Sequence, residues 1–232
     1  MMTIVLLPGM DGSGSLFSDF IASLPAGAKS VVVTYPPDLA LGYSELEALV
    51  RVALPTTSPY FLIGESFSGP IAIALAASRP NGLCGVVLVC SFAQNPIAMP
   101  SWLRPLVSLI PVWLIPTRIA AALLLGQSAS SAIRARLSSE IARVKPAVWR
   151  SRLKAVLSVD VAVRLREISV PVLYLRAKYD RVVPRSASEL IARFLPGLKV
   201  IELDGPHFML QAKPAESAAQ LLAFAREVGF AL

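Results

Sequence analysis

The stretch LIGESFSGP, residues 62–70, decides how the rest of the chain is read. An apolar run ending in Gly64-Glu65 passes through Ser66-Phe67-Ser68-Gly69 and enters the helical pattern SGPIAIALAAS with no loop between. A strand can end in simpler ways. A serine set among small residues at a strand-to-helix turn points to a hydroxyl on display, because a strained turn leaves no room for large neighbours.

Working outward, the same rhythm recurs along the chain. TIVLLP (3–8), SVVVTY (30–35), YFLIGE (60–65), GVVLVCS (85–91), VPVLYLR (170–176) and LKVIEL (198–203) are nearly continuous apolar runs. Such runs suit parallel strands covered on both faces. Helical stretches at 14–23, 43–54, 68–78, 186–195 and 214–228 alternate with them. The alternation predicts an α/β fold, an open doubly wound sheet with helices on both faces and right-handed crossovers. A chain of 232 residues is long enough for one such domain with an insertion. The insertion is expected at 96–166, where proline-broken helical segments replace the strand pattern. It is read as an all-helical cap after strand 4, with residues 1–95 and 167–232 forming the core. Eleven lysines and arginines stand in the cap against Glu140 and Asp160, so it carries the basic balance of a chain whose net charge is +7.

Composition excludes several classes. With 55 % hydrophobic and 16 % charged residues the chain is not disordered. The most membrane-like segment, 103–126, is interrupted by Arg104, Pro105, Pro111, Pro116 and Arg118. It therefore falls short of the roughly 20 apolar residues a spanning helix needs, and no transmembrane segment is expected. MMTIVLLPGM has no basic leader, so no signal peptide is expected either. Cys84 and Cys90, six apart in one strand, are separated by about 20 Å and cannot bridge. Reduced thiols make the cytoplasm the expected compartment. Nucleic acid is a poor explanation of the basic cap, which has no recognisable reading motif.

The chemistry gathers at strand ends. A G-x-S-x-G elbow holds a nucleophilic serine at a sharp strand-to-helix turn, and Gly64-Glu65-Ser66-Phe67-Ser68 fits it with serine in place of the final glycine. A serine hydroxyl needs a base, and His207 is the only histidine in the chain. It follows the last strand in LDGPHFML and so falls at the same sheet edge as Ser66. The acid is expected at Asp180, four residues past the fifth strand, with Asp204 and Asp160 as competitors. Ser, acid, His is the chain order this architecture uses. For the oxyanion, the Met10 N–H in LLPGMDGSG and the Phe67 N–H after the nucleophile are the expected donors. This chemistry calls for no cofactor and no metal, and one histidine argues against His-rich catalytic metal sites.

Three motifs, PGMDGSG, GESFSG, and YDRVVP with GPHFMLQAKPAE, resemble the α/β-hydrolase family across essentially the whole chain. Pro8-Gly9 stands where the family often has His-Gly. The resemblance implies a six-stranded parallel sheet in the order 2-1-3-4-5-6 and a serine carboxylesterase acting through an acyl-enzyme on a small-molecule ester. Trp102, Trp113, Leu123 and Leu124, with Leu103, Leu106, Leu109 and Leu114, are candidates for an acyl pocket in the cap. Arg134, Arg136, Arg143, Lys145, Arg150, Arg152 and Lys154 form either a solvated helix face or a surface steering an acidic carrier protein. In the second form the chain is similar to capped esterases that cleave the methyl ester of pimeloyl acyl carrier protein in biotin synthesis. A perhydrolase, an acyltransferase or a non-catalytic ligand-binding member of the family is the alternative of another class.

Overall fold

The computed structural model of the chain describes residues 3–97, 116–126 and 129–230. Six strands, β1 (Thr3–Leu7), β2 (Lys29–Val32), β3 (Tyr60–Glu65), β4 (Leu83–Val89), β5 (Val172–Ala177) and β6 (Lys199–Leu203), form one sheet in the order β2-β1-β3-β4-β5-β6. Every pairing is parallel. The expected architecture and strand order are both present.

The sheet is buried on both sides, which is why its strands read as unbroken apolar runs. Successive side chains alternate between faces. Val5, Leu7, Leu62, Val86 and Leu88 pack on one side with α2 (Tyr43–Ala53), α3 (Gly69–Ala77) and α7 (Arg185–Phe194). Ile4, Leu6, Phe61, Ile63, Val87 and Val89 pack on the other with Phe20 of α1 (Ser18–Ala22) and Leu221 and Phe224 of α8 (Pro214–Glu227). The expected helix at 14–23 is split, because a 3-10 turn at Ser15–Phe17 precedes α1.

Between β4 and β5 the described residues contain α4 (Thr117–Leu125), α5 (Ser131–Arg143), α6 (Pro146–Ser158) and a 3-10 helix at Ala162–Glu167, and no strand. The two ends of this insertion meet. Asn95 N–H donates to the Val159 carbonyl at 3.1 Å, and Val161 N–H to the Ala93 carbonyl at 2.8 Å. Gln94 Nε2 donates to Asp160 Oδ2 at 2.9 Å, so Asp160 serves this neck. Among the described residues no helix is long and apolar enough to cross a membrane. Both cysteines are free, as expected, Cys84 half-buried and Cys90 buried.

Register aligns the strand ends. Leu7 pairs with Gly64, Glu65 with Val89, and Ala177 with Leu203. The segments that follow β1, β3, β4, β5 and β6 therefore emerge together along the carboxyl edge, where ligands of open α/β sheets bind. The central strands hold that edge in place. Leu62→Ala, at a fully buried β3 position, is expected to cost about 3 kcal/mol in urea unfolding. Val200→Ala on edge strand β6, where the side chain is 37 % exposed, is expected to cost less than about 1 kcal/mol.

Candidate active site

Ser66 sits on the turn between β3 and α3 with φ 49°, in the left-handed region that non-glycine residues rarely adopt. Close packing on both sides holds it there. A Cβ on Gly64 would lie 2.8 Å from Ala72 Cβ and 2.9 Å from the Ser68 carbonyl oxygen. A Cβ on Gly69 would fall inside the Ser91 side chain, 2.7 Å from its Cβ. Ser91 Oγ uses that space to donate to the Ser66 carbonyl at 2.6 Å. Tyr174 Oη in turn donates to the Ser91 carbonyl at 2.6 Å and accepts its N–H at 2.9 Å. The small residue that the helix side of the turn requires is thus Gly69. Ser68 is tolerated because its hydroxyl leaves the turn to donate to the Pro8 carbonyl.

His207 arrives on the loop after β6. Phe208 N–H donates to the Leu124 carbonyl at 2.8 Å, and the Phe208 ring is buried with Leu16, Ala121, Leu125, Ile133 and Leu137. The insertion helices α4 and α5 therefore hold the histidine loop down. His207 Nε2 is 2.8 Å from Ser66 Oγ, and its Nδ1 is 2.8 Å from Asp180 Oδ2. The carboxylate only accepts, so Nδ1 carries the proton and Nε2 is left to accept from the Ser66 hydroxyl. Asp180 Oδ1 is occupied by the N–H groups of Val182 and Val183, at 2.8 and 2.9 Å. The carboxylate thus has three donors and one orientation. Asp204, the competing acid, faces outward beside Lys178 at 3.7 Å, with 63 % of its side chain exposed. His207 is 1 % and Ser66 9 % exposed, so the hydrogen-bonded chain lies largely out of water.

Met10 lies in the turn after β1, where Gly12 N–H donates to the Gly9 carbonyl at 3.1 Å. Phe67 follows Ser66, its ring stacked on Tyr43 at 4.8 Å. Leu124 is half-buried against the Phe208 cluster and meets the site through its carbonyl. Leu123 is 39 % exposed and lines a separate cavity of about 370 Å³ with Tyr179, Arg181, Asp204 and Lys213. Trp102 and Trp113, like Leu103, Leu106, Leu109 and Leu114, lie outside the described residues.

Two further groups border the site without having been marked in the sequence. Cys90 is buried at φ 47°, and its ligating atom lies within 4.8 Å of those of Asp180 and His207. Burial, then the nearby Asp180 and Glu65, push its thiol well above the ordinary range. This is the one such cluster among the described residues. A metal there would have to break the Asp180–His207 hydrogen bond and deprotonate the thiol, so the donor set does not fit one. The other group is Glu65, directly before Ser66. Burial pushes its carboxyl from 4.5 up to about 8, although the hydrogen bond from Gln211 works in the opposite direction. Gln211 Nε2 donates to Glu65 Oε2 at 3.0 Å. Glu65 Oε1 and Gln211 Oε1 are buried without a hydrogen-bond partner among the described residues. A proton on Glu65 removes the charge that this site cannot solvate. An acid at the end of an apolar parallel strand was the available signal.

The family described as "Alpha/beta hydrolase family" matches residues 4–220, most of the chain, and the chain belongs to it. That membership makes it a hydrolase. A relative from Caulobacter sp. (strain K31), provisionally named the carbamate hydrolase RutD, is 26 % identical over 240 residues, covering 94 % of this chain and 89 % of its own. The esterase EaEST from Exiguobacterium antarcticum has a TM-score of 0.82 at 16 % identity, covering 97 % of this chain and 92 % of that one. A bromoperoxidase from Bacillus anthracis has a TM-score of 0.81 at 16 % identity, with the same 97 % and 92 % coverage. Such different names on one fold leave the chemistry to be argued from the site.

Because the folded protein binds the Glu65 proton more tightly than the unfolded chain, stability from the neutral acid is complete below the unfolded value and is lost as pH rises towards 8. Glu65→Gln is expected to abolish that loss. In thermal unfolding from about pH 5 to about pH 9, the variant should gain on the parent steadily. Parallel curves would mean that Glu65 is ionised throughout.

Proposed function

We propose that the chain is a serine carboxylesterase, with Ser66 as nucleophile, His207 as general base and acid, and Asp180 as the group that orients His207. The observation that carries this is the Ser66–His207–Asp180 chain, with both hydrogen bonds at 2.8 Å, at the carboxyl edge of the sheet. Ser66 Oγ attacks the ester carbonyl as Nε2 takes its proton. The Met10 and Phe67 N–H groups receive the oxyanion. Nε2 then returns the proton to the leaving alkoxide, and the acyl group remains on Ser66. Water, activated by the same imidazole, releases the acid and restores the serine. Residues 96–166 act as a cap over residues 1–95 and 167–232, and the paired neck at 93–95 and 159–161 supports that division. A carbamate has the same kind of carbonyl, and the name of the Caulobacter relative puts carbamates on the substrate panel beside esters.

An acidic carrier protein as the source of the ester is a narrower reading, favoured by the exposed Lys145, Arg150 and Lys154. Two members of the expected basic surface are not available to it. Arg152 is buried, and Arg134 is half-buried and donates to the carbonyls of Ala129 and Gly126. If the remaining charge steers such a partner, reversal at Lys145, Arg150 and Lys154 is expected to slow hydrolysis of a carrier-bound ester. The loss should fade with added salt, and a small neutral ester should be unaffected. Equal rates on both substrates would remove the carrier reading.

For the esterase itself, a fluorophosphonate is expected to label Ser66, and Ser66→Ala to abolish labelling and turnover of p-nitrophenyl esters. His207→Ala should lower kcat by about 10⁴-fold or more in a folded protein. Asp180→Asn should be far more damaging than Asp204→Asn. Turnover that survives Ser66→Ala, or the reverse ranking of the two aspartates, would overturn these assignments.

A further inference from the structure

Arg152, on α6 of the insertion, is 1 % exposed and is the largest fully buried side chain among the described residues. Its Nη1 donates to the carbonyls of Met10 and Asp11 at 2.8 and 3.0 Å, and its Nη2 to that of Pro36 at 3.1 Å. The guanidinium carbon lies 5.8 Å from the centre of the Tyr35 ring. The Asp11 carboxylate, itself buried, is the nearby opposite charge, and it is held by the N–H and hydroxyl of Ser13 at 3.0 and 2.7 Å. Gly12, at φ 75°, leaves room for this approach, because a Cβ there would lie 2.8 Å from Nη1 and 2.9 Å from Nη2.

A buried guanidinium is costly, and an apolar side chain would fill the same volume without desolvating a charge. What Arg152 supplies beyond volume is a rigid fork of donors. The fork meets the turn that carries Met10. At the near end of this turn, Ser68 Oγ donates to the Pro8 carbonyl. The single Ser68 proton is then used, so the 2.6 Å contact with Tyr35 has the phenol as donor. In the middle, the Gly12 N–H on the Gly9 carbonyl fixes the peptide plane whose other end is the Met10 N–H. At the far end Arg152 fixes the next plane through the Met10 carbonyl. The turn is thus gripped from the nucleophile elbow and from the insertion, with one N–H held between the two grips.

We propose that Arg152 is a positioning residue for the reaction, fixing the Met10 N–H where the oxyanion forms and making α6 a working part of the catalytic site. This rests on the esterase reading above. An oxyanion donor acts through placement, since its worth comes from being aimed before charge develops. Loss of the fork frees the turn and lowers kcat, while the binding of a small neutral ester, which gains little from this donor in the ground state, is preserved.

The test compares Arg152→Met and Arg152→Lys with the parent on p-nitrophenyl acetate, with active sites counted by complete fluorophosphonate labelling. Arg152→Met is expected to lose kcat per labelled site by roughly 10²-fold with KM nearly unchanged. The lysine variant, which keeps a cation but not the planar fork, should fall in between. A merely structural arginine would lower the melting temperature and leave kcat per labelled site at the parent value, and that result overturns the proposal. Loss of folding in both variants overturns it as well, because the residue would then serve the fold as such. If Arg152→Met does not fold and Arg152→Lys does, parental kcat in the lysine variant is the overturning result, and a lowered kcat at constant KM supports the proposal. Ser66→Ala, run alongside, separates the two readings. Turnover that persists in that variant removes the esterase, whereas its loss together with a parental kcat in the arginine variants removes the positioning role alone.

Discussion

The left-handed backbone at Ser66 is the constraint on which the rest of the carboxyl edge depends. A non-glycine residue held at φ 49° costs about 1–3 kcal/mol. The surroundings must therefore leave it no easier conformation. The missing Cβ at Gly64 lets β3 and α3 approach, the missing Cβ at Gly69 makes room for Ser91, and a relay from Tyr174 through Ser91 holds the Ser66 carbonyl from behind. The relay starts on β5 and passes the end of β4, so the Ser66 conformation is tied to strands far away in sequence. Parallel register makes this possible, because Val86–Val89 lie beside Val172–Leu175 with their ends level.

Buried acids near this turn differ in how they are supplied with donors, and the difference sorts their roles. Asp180 receives two backbone N–H groups and the imidazole, enough to keep a carboxylate in place in a dry site. Glu65, one residue before the nucleophile, receives a single amide donor. The first is suited to stabilising an imidazolium as it forms. The second is suited to remaining neutral, so that a second negative charge does not build up behind the serine hydroxyl.

Much of this was legible in the sequence because it rests on local signals. The apolar runs identified all six strands, most plainly the central β1, β3, β4 and β5, which are covered on both faces and have no polar side to blur their ends. Ser66 and His207 were marked by a turn motif and by singularity. Asp204 lies only three residues before the histidine and would have to fold back to reach it, which separates it from Asp180; the carboxylate beside His207 Nδ1 is that of Asp180, and Asp204 stands beside Lys178. What could not be read was long-range. Arg152 was grouped with surface cations because its helix, with Arg150 and Lys154 close by, has the composition of a solvated face. The turn of chain that buries it lies about 140 residues earlier. Ser68 looked like a lapse from a glycine rule. The rule in fact applies at Gly69, and the hydroxyl has partners contributed by Pro8 and Tyr35. Glu65 was passed over because a motif position marked x invites no question.

The paired neck at residues 93–95 and 159–161 bears on how this lineage can diversify. Chain leaves and re-enters the sheet at neighbouring points, so an insertion of another length or shape closes the same short gap without stretching the core. Free exchange is nonetheless limited by what the present insertion reaches into. A transplant lacking a counterpart of Arg152 strands the carbonyls of Met10, Asp11 and Pro36 in the interior, at about 1–3 kcal/mol for each that finds no other donor. Recombination at this neck is thus tolerant of outline and demanding of one interior cation, and a chimera that keeps the outline while omitting the cation inherits the scaffold with the turn after β1 released from the insertion.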